Sequence, residues 1–403
     1  LDDREGGGHD RQFHGPRRIL APRIGQLLVR ERGNDDQEAL EPHPNQDADR
    51  SDHAAGNGSR LVVGQDHEGD HGGVAVGQSL IAVLALTGIL ALIAGIARNR
   101  LETIAQRVAK RFAIGRPRSR AALEAGAGSY LDRVPMHWMK DWPMPFPMLV
   151  TKAEGARIED LDGFGIDDFC LGDTGSMFGH SPAPVAKAIR RQATRGLTYM
   201  LPTEAALEAG GLLTERFGDF RWQIATTATD ANRFALRVAR AVTGRPKVLV
   251  FNGCYHGTLD DTMVELQGGV TVARSGLVGQ VADLTLGAVA AEFNDLAGVE
   301  AALKAGDVAA ILTEPVMTNS CMVLPDPGFH DALRTLATRY GALLVIDETH
   351  TISSGLGGYT GVHGLDPDIF VVGKCVAGGM PTAVWGLRAD VADRFAAYDA
   401  QRP

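Results

Sequence analysis

Beyond residue 240 the chain alternates short, unbroken apolar runs with stretches whose apolar residues recur at helical spacing. Lys247 to Phe251, Ala309 to Thr313, Ala342 to Asp347, Ile369 to Val372 and Ala383 to Leu387 are too short for helices and too continuous for half-exposed strands. They predict strands buried on both faces. Asp331 to Tyr340 predicts a helix between two of them, and upstream so do Arg233 to Val242 and the stretch from about Thr203 to Phe217. Val185, Ala188, Ile189 and Gln192 share one helical face, with Ser181 expected as the cap and Gly196 beyond the end. Earlier, Gly155 to Gly163 reads as a strand closed by an Asp-Gly turn, with Ile166 to Phe169 as its partner. Such alternation builds an α/β sheet whose ligands sit where strands end and helices begin.

The first quarter of the chain follows no such pattern. Residues 1–79 are rich in Gly, Asp, Arg and His and lack apolar periodicity, which predicts a disordered leader. No lysine occurs before Lys110, and the composition fits either a solvated tail or a GC-rich stretch read from the wrong start. Its histidines and acids show no metal-ligand spacing. Residues 80–98 are expected to form an apolar helix, with Leu80 to Ala97 just long enough to cross a bilayer and Arg98 and Arg100 flanking it. A membrane anchor competes here with an artefactual leader or a helix buried against protein. From Asn99, read as a capping box with Glu102, apolar residues recur at helical spacing through Phe112. Residues 99–170 are then expected to be the N-terminal segment of a small domain and 171–403 a large domain.

Composition narrows the function. At 403 residues and 44% hydrophobic, the chain can bury a large core. A net charge of −9 with no basic patch interleaved with aromatics argues against nucleic acid and for a small-molecule ligand. Four widely spaced cysteines, with no C-x-x-C, suggest neither a zinc site nor a disulfide framework and suit a reducing cytoplasm.

Four elements carry candidate chemistry. Lys374 follows the strand Ile369 to Val372 and precedes a Gly-Gly-x-Pro turn; an isolated lysine there would ordinarily snorkel to solvent, whereas a buried amine can be used as a Schiff base. Asp347 ends the strand Leu343 to Asp347, where an acid either pairs with a neighbouring base or serves a ligand. Tyr255, in Asn252-Gly253-Cys254-Tyr255-His256-Gly257, is a ring between glycines at a strand's end, able to decorate the surface or to stack on a flat ligand. Small hydroxyl residues in Thr226-Thr227-Ala228-Thr229-Asp230-Ala231-Asn232 suit plain helix capping or a phosphate at a helix N-terminus.

Taken in order, a phosphate-cradling helix start, a stacking aromatic, a strand-end Asp and a Gly-Lys before Gly-Gly-x-Pro resemble the class III aminotransferases of pyridoxal-phosphate fold type I. Phe178-Gly179-His180-Ser181-Pro182, Ala239 to Arg245, Cys254-Tyr255-His256-Gly257, Thr313-Glu314-Pro315 and Pro367-Asp368-Ile369 carry the likeness, which runs from about Gly155 to Leu387 and is nearest to the glutamate-1-semialdehyde aminomutase group. The resemblance implies a large domain with a mostly parallel central sheet, a partial small domain, pyridoxal 5'-phosphate as cofactor and a homodimer. It implies transfer of an amino group between an amine or amino acid and a carbonyl acceptor. By position, Lys374 would be the Schiff-base lysine and Asp347 the partner of the pyridinium nitrogen. Ala228 and Thr229 would bind phosphate, Tyr255 would cover the ring and Glu314 would support the site near the cofactor.

The departures matter too. Thr349-His350-Thr351-Ile352-Ser353-Ser354 replaces the family's Val-x-x-x-Phe-Arg, and the entrance pattern is replaced by Pro135 to Trp142, with no evident carboxylate-binding arginine. His137, Trp138 and Lys140 are pocket candidates in that proline-rich loop, where packing is the ordinary role of tryptophan. Relatives extend far past the lysine, whereas 29 residues follow Lys374 here, so the C-terminal domain is expected to be missing. An aminomutase or racemase on the same fold, or a non-catalytic, membrane-tethered remnant, is the alternative to an aminotransferase.

Overall fold

The computed structural model describes residues 99–126 and 128–402, so the expected leader and apolar run lie outside the described residues. By internal contacts the described chain forms two units: one holds 99–152 and 158–166, the other 153–157 and 167–402. Among the described residues no helix is long and apolar enough to cross a membrane.

In the first unit, helical residues 99–115 (α1) lead through Arg116 into α2 (Pro117–Ala125). Asn99, expected as the cap, is itself helical. Arg116 is buried. Its guanidinium lies over the rings of Phe112 and Phe164, 4.2 and 4.5 Å from their centres, and its Nε donates to Asp160 at 2.7 Å. That pairing is what allows a charge to sit inside so small a unit. β1 (Val150–Glu154), β2 (Arg157–Asp160) and β3 (Gly165–Asp167) follow one another in a three-stranded sheet. Its second half is the expected hairpin; β1 is an added strand.

In the second unit, α3 (Ala183–Ala193) starts after Pro182, not Ser181. The Ser181 hydroxyl instead donates to the Ala153 carbonyl, and its backbone is left-handed at φ 51°. Pro182 is the N-cap residue, and no side chain caps this helix. α4 (Glu204–Phe217) is capped by Thr203, whose side chain accepts from the Ala206 N–H. The strands β4 (Phe220–Ala225), β5 (Lys247–Phe251), β8 (Ala288–Ala291), β9 (Val308–Thr313), β10 (Leu343–Asp347), β11 (Ile369–Val372) and β12 (Ala383–Arg388) make one sheet, ordered β4-β12-β11-β10-β9-β5-β8. β6 (Val264–Gln267) and β7 (Val270–Ala273) form a separate antiparallel ribbon. β12 runs antiparallel to both its neighbours, β4 and β11; the pairs from β11 through β8 are parallel. The continuous apolar runs sit here because a parallel sheet covered on both faces offers no polar side.

α5 (Ala228–Thr243) packs on this sheet through Ala231, Asn232, Ala235, Leu236, Val238 and Ala239, all buried at helical spacing. It begins five residues earlier than its apolar pattern, capped by Thr227, and Gly244 in the left-handed region ends it. α6 (Leu296–Leu303) and α7 (Phe329–Tyr340) follow, with Phe329, Leu333, Leu336 and Ala337 of α7 buried. Each large apolar side chain so buried contributes about 1.5–3 kcal/mol. The short α8 (Gly358–His363) and then α9 (Ala389–Asp399) complete the unit.

Asp368 fixes the approach to β11. It is buried, accepts from the Leu344 N–H at 2.7 Å and from Arg334 at 2.8 Å, and pairs with Arg388 at 2.5 Å. Asp368→Ala should therefore lower the unfolding free energy by about 2–3 kcal/mol, the worth of charge-assisted bonds to a buried group. A urea midpoint unchanged from that of the parent chain would disprove this role.

Candidate active site

The C-terminal ends of β4, β5, β9, β10 and β11 open on one edge of the sheet, and each delivers a polar residue there. β10 ends in Asp347, whose carboxylate is buried. Oδ2 accepts from Asn232 Nδ2 at 2.8 Å and lies 2.9 Å from His256 Nδ1, while Oδ1 accepts from the Thr349 N–H at 3.1 Å. Burial alone would raise this carboxyl's pKa. The hydrogen bond and charge of His256, with the Thr349 and Asn232 bonds, outweigh it and pull the group down to about 2. Asp347 is therefore a permanent buried anion at neutral pH.

His256 is fully buried too. Burial works against a charge on its ring, yet the Cys254 sulfur and the Asp347 carboxylate together hold its pKa well above the ordinary value. Asn232 Nδ2 also donates to the His256 carbonyl at 3.1 Å, tying the turn after β5 to α5. Tyr255, next along the turn, leaves about two fifths of its surface exposed. Its ring is thus free to lie on a ligand.

Ala228 and Thr229 open α5, where backbone N–H groups have no carbonyl of the preceding turn to bond. Thr227 Oγ1 accepts the Asp230 N–H at 3.1 Å, which leaves the amides of Ala228 and Thr229 as anion donors. Two glycines bring other segments onto this helix start. A Cβ at Gly257, whose φ is 94°, would fall 2.0 Å from Thr229 Oγ1; one at Gly373 would fall 2.9 Å from Ala228 Cβ. The turn after β5 and the end of β11 therefore close on the amides as only glycine permits. Thr229 Oγ1 also accepts the Thr258 N–H at 3.2 Å.

Lys374 follows Gly373 with its backbone left-handed at φ 50°. Such a conformation costs a non-glycine residue about 1–3 kcal/mol and persists only where its surroundings impose it. Its side chain is about one quarter exposed, with Nζ 3.5 Å from Asp173 Oδ2. His350, three residues past Asp347, senses this amine: burial lowers its pKa first, and the charge of Lys374 lowers it further. Glu314, after β9, is buried; Oε2 accepts from the Thr318 N–H and hydroxyl at 3.2 and 2.5 Å. Burial pushes its carboxyl above the ordinary value against the pull of the His256 charge.

Lys374, Asp347, Ala228, Thr229, Tyr255 and Glu314 thus share one edge of one unit. His137, Trp138 and Lys140 belong to the other unit, in the short helix His137–Asp141, where Lys140 pairs with Asp132. Sequence reasoning missed Asn232, His256, Asp173 and His350 as site residues. A signal existed for two of them: Asn232 is a polar residue on the apolar face of its helix, and His256 adjoins Tyr255 in a glycine-flanked turn.

A mostly parallel sheet whose edge presents a buried acid, a lysine on the next strand and an anion-binding helix start is the arrangement of the pyridoxal-phosphate transferases of fold type I. The model of the family described as Aminotransferase class-III matches residues 138–400. The chain belongs to that family. It is 39% identical over 255 residues to a glutamate-1-semialdehyde 2,1-aminomutase of Roseiflexus castenholzii, covering 62% of this chain and 59% of the relative. The chain therefore spans about three fifths of the length of such curated relatives. Among solved structures it is similar to a glutamate-1-semialdehyde-aminomutase from Pseudomonas aeruginosa PAO1, with a TM-score of 0.73 and 50% identity over 76% of this chain and 68% of the other. An omega-transaminase from Sphaerobacter thermophilus follows, with a TM-score of 0.64 and 29% identity over 68% of this chain and 64% of the other. A variant of the aminomutase was solved with PMP, and a further neighbour is a transaminase with PLP bound.

The Asp347–His256 pair sets a pH window. Asp347, depressed from 3.8 to about 2, contributes stability that is present above pH 3.8 and lost as pH falls through about 2. His256, raised above 6.5, contributes stability that is present below pH 6.5 and lost as pH rises through its folded value. The pair's contribution is thus full between about pH 4 and 6.5. Urea unfolding of the parent chain and Asp347→Asn across pH 2–9 should show the largest gap in that window, on the order of 2 kcal/mol, closing on the acid side. A gap independent of pH would refute the ion pair.

Proposed function

We propose that the chain carries the catalytic half-site of a pyridoxal-phosphate-dependent aminotransferase, moving an amino group between an amine or amino acid and a carbonyl acceptor. The observation that carries this reading is the buried, ionised Asp347 at the end of β10, beside the β11 end that presents Lys374. The residues fit the cofactor on the structure's own terms. The glycines at 257 and 373 clear space against the α5 amides for a phosphate, and a carboxylate with a pKa of about 2 suits a protonated ring nitrogen.

Pyridoxal phosphate, when bound, supplies a ring that accepts the electron pair released as the substrate's Cα–H bond breaks. Ala228 and Thr229 would hold the phosphate and Tyr255 the ring face. Asp347 would keep a proton on the ring nitrogen, because its own affinity for that proton is low while it remains an anion. Lys374 Nζ would anchor the cofactor and then, as a free amine, take and return the α-proton. Its partial exposure leaves the amine within reach of substrate. Glu314 would support the site from beneath His256.

A homodimer is the assembly we infer. Leu197, Met200, Leu201 and Leu207 are each at least 70% exposed, more apolar surface in one short stretch than an isolated chain ordinarily presents to water. Four free thiols, at Cys170, Cys254, Cys321 and Cys375, support a reducing compartment such as the cytoplasm.

A second reading, an aminomutase on the same site, is favoured by the likeness to aminomutases. The two part on one measurement. An aminotransferase given a donor amine alone should convert its bound cofactor to the amine form and release a carbonyl product in a single turnover. An aminomutase returns an isomer and releases none. Lys374→Ala should abolish the visible absorbance of the reconstituted cofactor. A spectrum identical to that of the parent chain would remove Lys374 from the site.

A further inference from the structure

Behind Asp347 the structure holds two buried polar atoms that the chemistry above does not use. His256 Nε2 and Glu314 Oε1 are each fully buried and have no hydrogen-bond partner among the described residues. Their other polar atoms are committed: His256 Nδ1 to Asp347 at 2.9 Å, Glu314 Oε2 to Thr318. The two groups feel each other's charge. Leaving a buried donor and a buried acceptor both unpaired costs about 1–3 kcal/mol apiece, so satisfying them together is the economical arrangement. No nitrogen of His256 pairs directly with Glu314, and one water bridging the two groups would account for both atoms.

We propose that Glu314 is a positioning residue for Asp347 and acts through His256: a doubly protonated His256 donates Nδ1–H to Asp347 and directs Nε2–H toward Glu314, so that the buried charges alternate. The purpose of this row rests on the cofactor chemistry proposed above; its existence does not. A lone Asp347–His256 ion pair would be electrically complete, and a proton on the ring nitrogen of a ligand would then meet a carboxylate already neutralised by His256. A second carboxylate beyond His256 restores the negative potential at Asp347. Cys254 and Asp347 are the other ionisable groups acting on His256, and His256 and Asp347 those acting on Glu314.

The test uses the full chain labelled with ¹⁵N-histidine, with His256→Asn to assign the signal. NMR across pH 5–10, without cofactor, should show the His256 imidazole doubly protonated at pH 7–8. In Glu314→Gln, its loss of a proton should move to lower pH by about 1–3 units, the effect of removing a neighbouring opposite charge. After reconstitution with pyridoxal phosphate, the pH midpoint of the bound cofactor's visible band should also move in Glu314→Gln, and return toward the parent value in Glu314→Asp. A His256 neutral at pH 7 in the parent chain overturns the proposal even if Glu314→Gln fails to fold. So does a His256 titration identical in the parent chain and Glu314→Gln. A chain that binds no cofactor, yet keeps a charged His256 sensitive to Glu314, would refute the proposed function and leave the alternating row standing.

Discussion

The burial of one carboxylate, that of Asp347, governs how the rest of this edge of the protein is built. Removing an ionised group from water costs several kcal/mol unless its oxygens find donors. Two segments remote in sequence and one adjacent residue supply them: Asn232 from α5, His256 from the turn after β5, and the Thr349 N–H just beyond β10. Because each donor is an atom within 3.1 Å of the carboxylate, α5 cannot slide along the sheet and the turn cannot swing away without stranding a charge. Asn232 spans two of the three, donating to Asp347 and to the His256 carbonyl. The polar residue on an otherwise apolar helix face is thus the pin that sets the helix's register.

That register in turn places the amides of Ala228 and Thr229 about one helical turn from Asn232, which contacts the buried acid. A carboxylate for a ring nitrogen and a nest of N–H groups for a phosphate must be held a fixed distance apart for one rigid ligand to use both. The close approaches at Gly257 and Gly373 complete the geometry, since each lets a backbone reach the helix start where a methyl group would collide. Lys374 comes next along the chain, with its left-handed backbone turning it off the strand direction. The local cost of that conformation is offset by the tightly paired strands on either side, Val371 registering with Asp347 on one and with Trp385 on the other.

Much of this was legible in the sequence, for a physical reason. Lys247 to Phe251 and Ile369 to Val372 are strands at the residues read from the pattern, because a short continuous apolar run has no other stable home than a sheet covered on both faces. The residues at the ends of those runs were legible as well, since a charged residue abutting such a run must sit at the sheet's edge. Pairings across long stretches of chain were not. His256 and Asp347 lie 91 residues apart, and nothing in the local pattern of either encodes the other. Strand direction is equally silent, so the reversed β12 could not be read from Ala383 to Leu387. The start of α5 was misjudged because Thr226 to Asn232 are small and polar, which suits a loop and a capped first turn alike. Ser181 shows the reverse error: a residue type that caps helices was used to tie down a neighbouring strand.

The departures from the family pattern include the helix start at Thr227 to Ala231 as well as Thr349 to Ser354 after the buried acid. Asp347, the helix start and the glycine-flanked tyrosine would hold the proposed cofactor, while Asp173 pairs with the Lys374 amine and His350 responds to its charge. A histidine whose pKa is lowered by burial and by a neighbouring ammonium is neutral at physiological pH, so it offers a substrate a hydrogen bond and not a charge. Asp173 offers the opposite of an arginine. Under the proposed function, a substrate approaching Lys374 would meet an imidazole and a carboxylate. Under the proposed function, His350 and Asp173 are then the side chains to examine for the choice of amino donor.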